Sequence, residues 1–263
     1  MSDIPELSAI EVTVDGPIAH VVLNRPNRLN ALSKVLLDEV VRVSAWLHTR
    51  DDIKVATLAG AGRAFSAGFD LGDFAAKSEG ASARDGADLG RRATNAWTDV
   101  PQLTIAGVHG HCIGGGVVLV GASDIRVATD SAVFVIPEVD LGIPLAWGGI
   151  PRLVREIGPA LTKELVLTCR PFTSVEAKSI GFINEVVEVD QLDDRVRQLA
   201  SSLAAKPTYA LRVTKQQVNA VMEEIAGTGR SAGDADMLVY AMHDEESRAA
   251  TRRYLNARAP KGT

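Results

Sequence analysis

The sequence predicts an α/β fold, a stack of βαβ-like units followed by a helical region. Three observations carry that expectation. From Ile10 to Ala128, short apolar runs rich in β-branched residues alternate with segments of helical periodicity. After Gly148 the strand signals give way to helical spacing. The 263 residues, 46% hydrophobic and 23% charged, hold enough apolar surface for one principal core.

The first element is a hairpin. Ile10 to Val14 alternates apolar and polar residues, Asp15-Gly16 supplies turn chemistry, and Ile18 to Leu23 returns as an apolar run ending at Asn24-Arg25-Pro26. Ser33 is placed to cap a helix whose Leu36, Val40, Val43 and Leu47 fall on one face. Val55 to Ala59 reads as a buried strand. Ala75 to Gly90, rich in Ala, Gly, Ser and charge, reads as a mobile loop or weak helix placed to act as a lid. The pattern then repeats as a strand at Thr104 to Val108, a glycine turn, a helix from Gly115 to Ala122 and a strand at Ile125 to Ala128. Beyond Gly148, Pro159 suits a first helical turn, and Thr173 with Glu176 forms a capping box for a helix closed by Gly181. Leu192, Val196, Leu199 and Leu203 line one face of a further helix, and Lys206-Pro207 reads as a break between helices.

Composition narrows the function classes. A net charge of -5 and a pI near 5.6 provide no bulk attraction to nucleic acid or anionic membranes. No apolar run reaches the roughly 18 to 20 residues that cross a bilayer. Two cysteines, Cys112 and Cys169, are too few for a disulfide framework, and the first ten residues lack signal-peptide character, so the expected location is cytoplasmic. The five histidines and two cysteines form no recognisable ligand spacing, and no metal is expected.

Three segments carry candidate chemistry. Gly110 through Gly116 joins a strand to a helix, where unpaired amides and the helix dipole face a developing negative charge. It matches neither a dinucleotide fingerprint nor a P-loop. Tight packing in a turn explains the same glycines. In Gly62 through Leu71, Gly68 permits a backbone turn that aims the amide of Phe69 into a cavity. Ser66 invites comparison with a nucleophile elbow served by His20, His109 or His111, but Ala64 replaces the first glycine of that motif. Glu138 lies in the apolar, glycine- and proline-marked stretch Ile136 to Pro144, where burial would raise its pKa toward that of a general base, and where a surface or salt-bridged glutamate is the alternative. Asp70 and Asp124 adjoin elements they are expected to cap. Arg25, Arg28, Arg258 and Lys261 are cations available to phosphate groups.

In chain order, Asn24-Arg25-Pro26 with Asn30-Ala31-Leu32, Ala64 through Leu71, Gly110 through Gly116, Asp124-Ile125, and Pro137-Glu138 with Leu141-Gly142 resemble the crotonase family, that is, the enoyl-CoA hydratase/isomerase family. Arg152-Leu153, Gly158, Ala177 and Gly181 extend the resemblance over nearly the whole chain. It implies a crotonase-like spiral of stacked ββα units, expected over residues 1–198, and a C-terminal helical trimerisation region over 199–263. A homotrimer or dimer of trimers is implied, acting on an acyl-CoA thioester with no separate cofactor. It also implies an oxyanion hole from the amides of Phe69 and Gly115, and coenzyme A contacts at Arg25, Arg28, Ser66, Ala67, Leu71 and Lys261. Val118 and Trp147 are expected at the acyl pocket.

Hydratases of that family use two glutamates. The first position is occupied here by Val118 and the second by Glu138. A valine exchanges no proton, so the resemblance favours isomerases that work with the second glutamate alone. The expected reaction is delta-3 to delta-2 enoyl-CoA isomerisation. Enoyl-CoA hydration is the alternative, with Asp140 or a water in place of the missing acid. Family dienoyl-CoA isomerases carry an aspartate where Ala146 stands. A noncatalytic acyl-CoA- or RNA-binding protein on the same fold is the alternative of another class.

Overall fold

The computed structural model describes residues 3–70, 72–73 and 81–258. The hairpin strands β1 (Ile10–Asp15) and β2 (Ile18–Leu23) open a sheet that continues with β3 (Val55–Gly60) and β4 (Leu103–Val108). After β5 (His111–Ile113), strand β6 (Ile125–Thr129) joins that sheet, and β7 (Val133–Val135) and β8 (Phe172–Thr173) pair elsewhere. With β9 (Glu185–Val187) at its edge, the main sheet has the order β1-β2-β3-β4-β6-β9. Only the β1–β2 pair in it is antiparallel. The parallel strands are covered on both faces, which is why β3 and β4 read as continuous apolar runs rather than alternations. The small sheet has the order β5-β7-β8 and carries stacked Phe134 and Phe172, with ring centroids 5.3 Å apart.

Among the described residues the helices are α1 (Lys34–His48), α2 (Ala81–Asp99), α3 (Gly115–Gly121), α4 (Gly149–Thr168), α5 (Ser174–Ser179) and α6 (Leu192–Ala204), then α7 (Thr208–Ala226), α8 (Asp234–His243) and α9 (Glu245–Arg258). Ser33 caps α1 by accepting the Leu36 N–H at 3.2 Å, and the expected Leu36, Val40, Val43 and Leu47 face is buried. One sheet face buries Ile18, Val55, Ile105 and Val127 against Leu192, Val196 and Ala200 of α6. Helix α6 therefore runs through the boundary expected at residue 198 and packs as part of the sheet layer. The opposite face joins α1, α2 and α3 in the larger core.

Several expectations change. Residues 81–90, read as a loop or weak helix, form the first half of α2, whose Leu89, Ala93 and Trp97 point inward at helical spacing. The preceding residues 75–80 of that lid lie outside the described residues. Helix α4 is kinked at Gly158 (φ +76°, ψ 167°), and Pro159 opens its second half. Thr173 accepts the Glu176 N–H, but the Glu176 carboxylate turns to Arg170 at 2.6 Å, leaving a half capping box. Asp124 is no cap. It accepts the Thr104 N–H at 2.7 Å and pairs with Lys215 at 2.8 Å, tying α7 to β4. Asp70 pairs with Arg25 at 2.9 Å and accepts the Gly72 N–H.

Candidate active site

One loop and two turns converge beside α3. The loop, after β3, is organised by Asn30, which is fully buried with φ +53°. Its Oδ1 accepts the Arg25 N–H at 2.9 Å, and its Nδ2 donates to the carbonyls of Ala61 and Ala64 at 2.8 Å. Ser66 exchanges backbone hydrogen bonds with β5, its N–H donating to His111 O at 3.1 Å and its carbonyl accepting the Ile113 N–H at 3.0 Å. The loop is thereby stitched to the strand that runs into Gly114. At Gly68 (φ +84°) a Cβ would fall 2.9 Å from the Ile113 carbonyl oxygen, so only glycine allows this approach. Phe69 follows directly, with its backbone bridged to Leu32.

Gly114 donates its N–H to Val135 O at 2.8 Å, joining the glycine turn to the end of β7. Three residues beyond Val135, Glu138 folds back in a turn closed by Leu141 N–H to Pro137 O and Ile143 N–H to Glu138 O. Its carboxylate lies on Gly114, where a Cβ would come within 2.5 Å of Oε1. Gly115 opens α3, so its N–H has no carbonyl one turn earlier within the helix and lies at the positive end of the dipole.

Glu138, Phe69 and Gly115 line one cavity with Val118, Ile143, Pro144, Leu145, Ala146, Trp147 and Leu238. Its volume is about 40 Å³. Among the described residues Glu138 is the single ionisable group in that lining. Its Oε2 is sealed from solvent without a hydrogen-bond partner. Burial, which disfavours the charged form, pushes its pKa from 4.5 to about 7. A carboxyl group poised there exchanges protons near neutrality, and Phe69 and Gly115 line the same space. This arrangement suits proton transfer beside a carbonyl whose oxygen gains charge.

The structure thus brings together Glu138, Phe69, Gly115, Val118 and Trp147. Asp140 is exposed and outside the cavity lining, and Ala146 lies in it. Arg25 is committed to Asp70 and to the Ala31 carbonyl, while Arg28 is exposed and Ala67 half-buried. Ser66 is fully buried, its Oγ donating to Asn30 O at 2.9 Å and accepting the Gly68 N–H at 3.2 Å. It holds the turn rather than offering a nucleophile. His20 bonds Thr57 at 3.0 Å and His109 the Gly62 carbonyl at 2.9 Å, so neither serves it as a base. Leu71 and Lys261, and the side chain of Arg258, lie outside the described residues. Among the described residues no group of three or more His, Cys, Asp or Glu could hold a metal ion, and no helix is long and apolar enough to cross a membrane.

Sequence reasoning missed Leu238, delivered from α8, and Gly90, which lies against Trp147. Nothing local marks Leu238. An isolated glycine within α2 was the available sign for Gly90.

A mainly parallel sheet that brings Phe69, Gly115 and a glutamate with one sealed carboxylate oxygen to a single apolar cavity defines a crotonase-fold enzyme. The chain belongs to the enoyl-CoA hydratase/isomerase family, whose model matches residues 13–262. It is 35% identical over 229 residues to a peroxisomal Delta(3,5)-Delta(2,4)-dienoyl-CoA isomerase of Arabidopsis thaliana, covering 82% of each chain. It is 32% identical over 219 residues to a short-chain-enoyl-CoA hydratase of Clostridium acetobutylicum, covering 83% of this chain and 84% of that one. Among solved structures, an enoyl-CoA hydratase/isomerase from Xanthobacter autotrophicus Py2 superposes with a TM-score of 0.85 at 26% identity, covering 97% of this chain and all of the other.

Proposed function

We propose that this enzyme catalyses delta-3 to delta-2 enoyl-CoA isomerisation with Glu138 as its sole acid and base. The observation that carries the reading is the cavity lining, in which Glu138 is the single ionisable group among the described residues and Val118 occupies the position that the family resemblance gives to a second acid. The carboxylate removes a proton from the α-carbon of a 3-enoyl thioester. The amides of Phe69 and Gly115 hold the thioester oxygen as the dienolate forms. Glu138 then returns the proton to the γ-carbon, and the double bond moves into conjugation. Proton gain and loss balance on one residue.

Arg25, Arg28 and Ala67 are assigned to coenzyme A, with Leu71 and Lys261, and the assembly to a homotrimer or a dimer of trimers. The unpaired, buried Cys112 and Cys169 suit a cytoplasmic setting. Hydration is a second reading, favoured by the name of the Clostridium relative. Exposed Asp140, outside the cavity lining, supplies no replacement acid for it.

Incubation with a 3-enoyl-CoA and, separately, with a trans-2-enoyl-CoA separates the two by product analysis. Isomerisation of the first with negligible hydration of the second is expected. Rapid hydration without double-bond migration refutes the proposal.

A further inference from the structure

Trp147 holds φ at +62°, in the left-handed region that bulky side chains avoid. Its backbone is pinned there from neighbouring elements. The Trp147 carbonyl accepts from Thr94 Oγ1 of α2 at 3.0 Å and from Arg152 Nη1 at 3.3 Å, and the next N–H, of Gly148, donates to Asp234 of α8 at 2.9 Å. The indole is wedged between two helices at glycines. A Cβ on Gly90 of α2 would lie 1.9 Å from its Cε2, and one on Gly115 of α3 would lie 2.2 Å from its Cζ3. The slot exists because both residues lack a side chain. On the site side, Phe69 meets the ring edge-on, with centroids 5.6 Å apart and planes at 87°. Val118, Leu145 and Leu238 complete the apolar wall around this space.

Resting on the acyl-CoA reading above, we propose that Trp147, seated in the slot between Gly90 and Gly115, is the end wall of the acyl pocket and restricts the enzyme to short acyl groups. An open apolar pocket gains affinity with each added methylene, because each buries more apolar surface. A fixed indole reverses that trend once the chain reaches it. The strained backbone and its hydrogen bonds to Thr94, Arg152 and Asp234 keep the ring from swinging aside.

The test is calorimetric binding of saturated butyryl-, hexanoyl- and decanoyl-CoA to the whole protein and to Trp147→Ala. Saturated thioesters do not isomerise or hydrate, so the readout is independent of which reaction the enzyme performs. Wild-type protein is expected to bind butyryl-CoA at least about tenfold more tightly than decanoyl-CoA. In Trp147→Ala the preference should be lost, the decanoyl thioester binding as tightly as butyryl-CoA or more tightly in the same variant. Trp147→Phe, which keeps an aromatic ring in the slot, is the second variant and should show an intermediate preference. Equal or tighter binding of decanoyl-CoA by wild-type protein overturns the wall while leaving the acyl-CoA reading intact. An unchanged preference in the variants does the same. Failure of every thioester to bind overturns both.

Discussion

At the residue scale the account turns on Glu138. Replacing it with Gln keeps the shape and removes the base, so turnover of a 3-enoyl-CoA should fall by about 10²- to 10⁴-fold while binding of a saturated acyl-CoA is largely kept. Steady-state kinetics beside calorimetry separates the two effects. The pH dependence follows from the same burial. Because the base must be ionised, kcat/KM should rise with pH through a limb near 7. Stability should move the other way. A folded-state pKa of about 7 against an ordinary 4.5 means that the folded protein holds a proton the unfolded chain has released. That contribution is complete below about pH 4.5 and is lost as pH rises through about 7. Above pH 7 Glu138→Gln should therefore be more stable than the parent by about 1 to 3 kcal/mol, with little gain at pH 4, as denaturant titrations at the two pH values would show.

At the scale of elements, the site depends on parts that are not themselves reactive. Asn30→Ala removes three hydrogen bonds from a buried crossing point and leaves the Ala61 and Ala64 carbonyls without that donor. A loss of about 2 to 4 kcal/mol is expected by denaturant unfolding, with weakened catalysis because the Phe69 amide loses its support. Lys215→Met strands Asp124 in a mostly buried position and should cost about 3 to 5 kcal/mol, loosening α7 from β4. These elements were unequally legible. Strands β1 to β4 and β6 announce themselves, since five or six residues of apolar or alternating pattern suffice. Strands β5, β7 and β8 have two or three residues each, too few for any period, and exist through pairing with one another. Helix α2 was masked because Gly86 and Gly90 dilute its apolar spacing, and Gly90 is there for the Trp147 indole. Glu138, Phe69 and Gly115 were readable because motifs in fixed order carried them. The role of Asn30 was not, because its partners are set by tertiary contact.

At the scale of the whole molecule, the C-terminal helices leave apolar side chains facing outward. Val218, Val221 and Ile225 form a stripe at helical spacing along α7, all more than half exposed. Met237 and Tyr240 of α8 are exposed as well. Exposed apolar surface of this kind marks an association site, which fits the trimer proposed above. Val221→Glu is expected to shift the protein toward monomer in light scattering coupled to size exclusion, and an unchanged assembly mass would exclude that stripe from the contact. Assembly and chemistry are separable questions, and the chemistry is the central one. It is tested most directly with a 3-enoyl-CoA deuterated at the α-carbon. One carboxylate working in an apolar cavity should give a trans-2-enoyl-CoA that carries part of the deuterium at its γ-carbon, and Glu138→Gln should give almost no product. A 3-hydroxyacyl-CoA formed without migration of the double bond, or a migrated product with no deuterium at its γ-carbon, would contradict the single-base account.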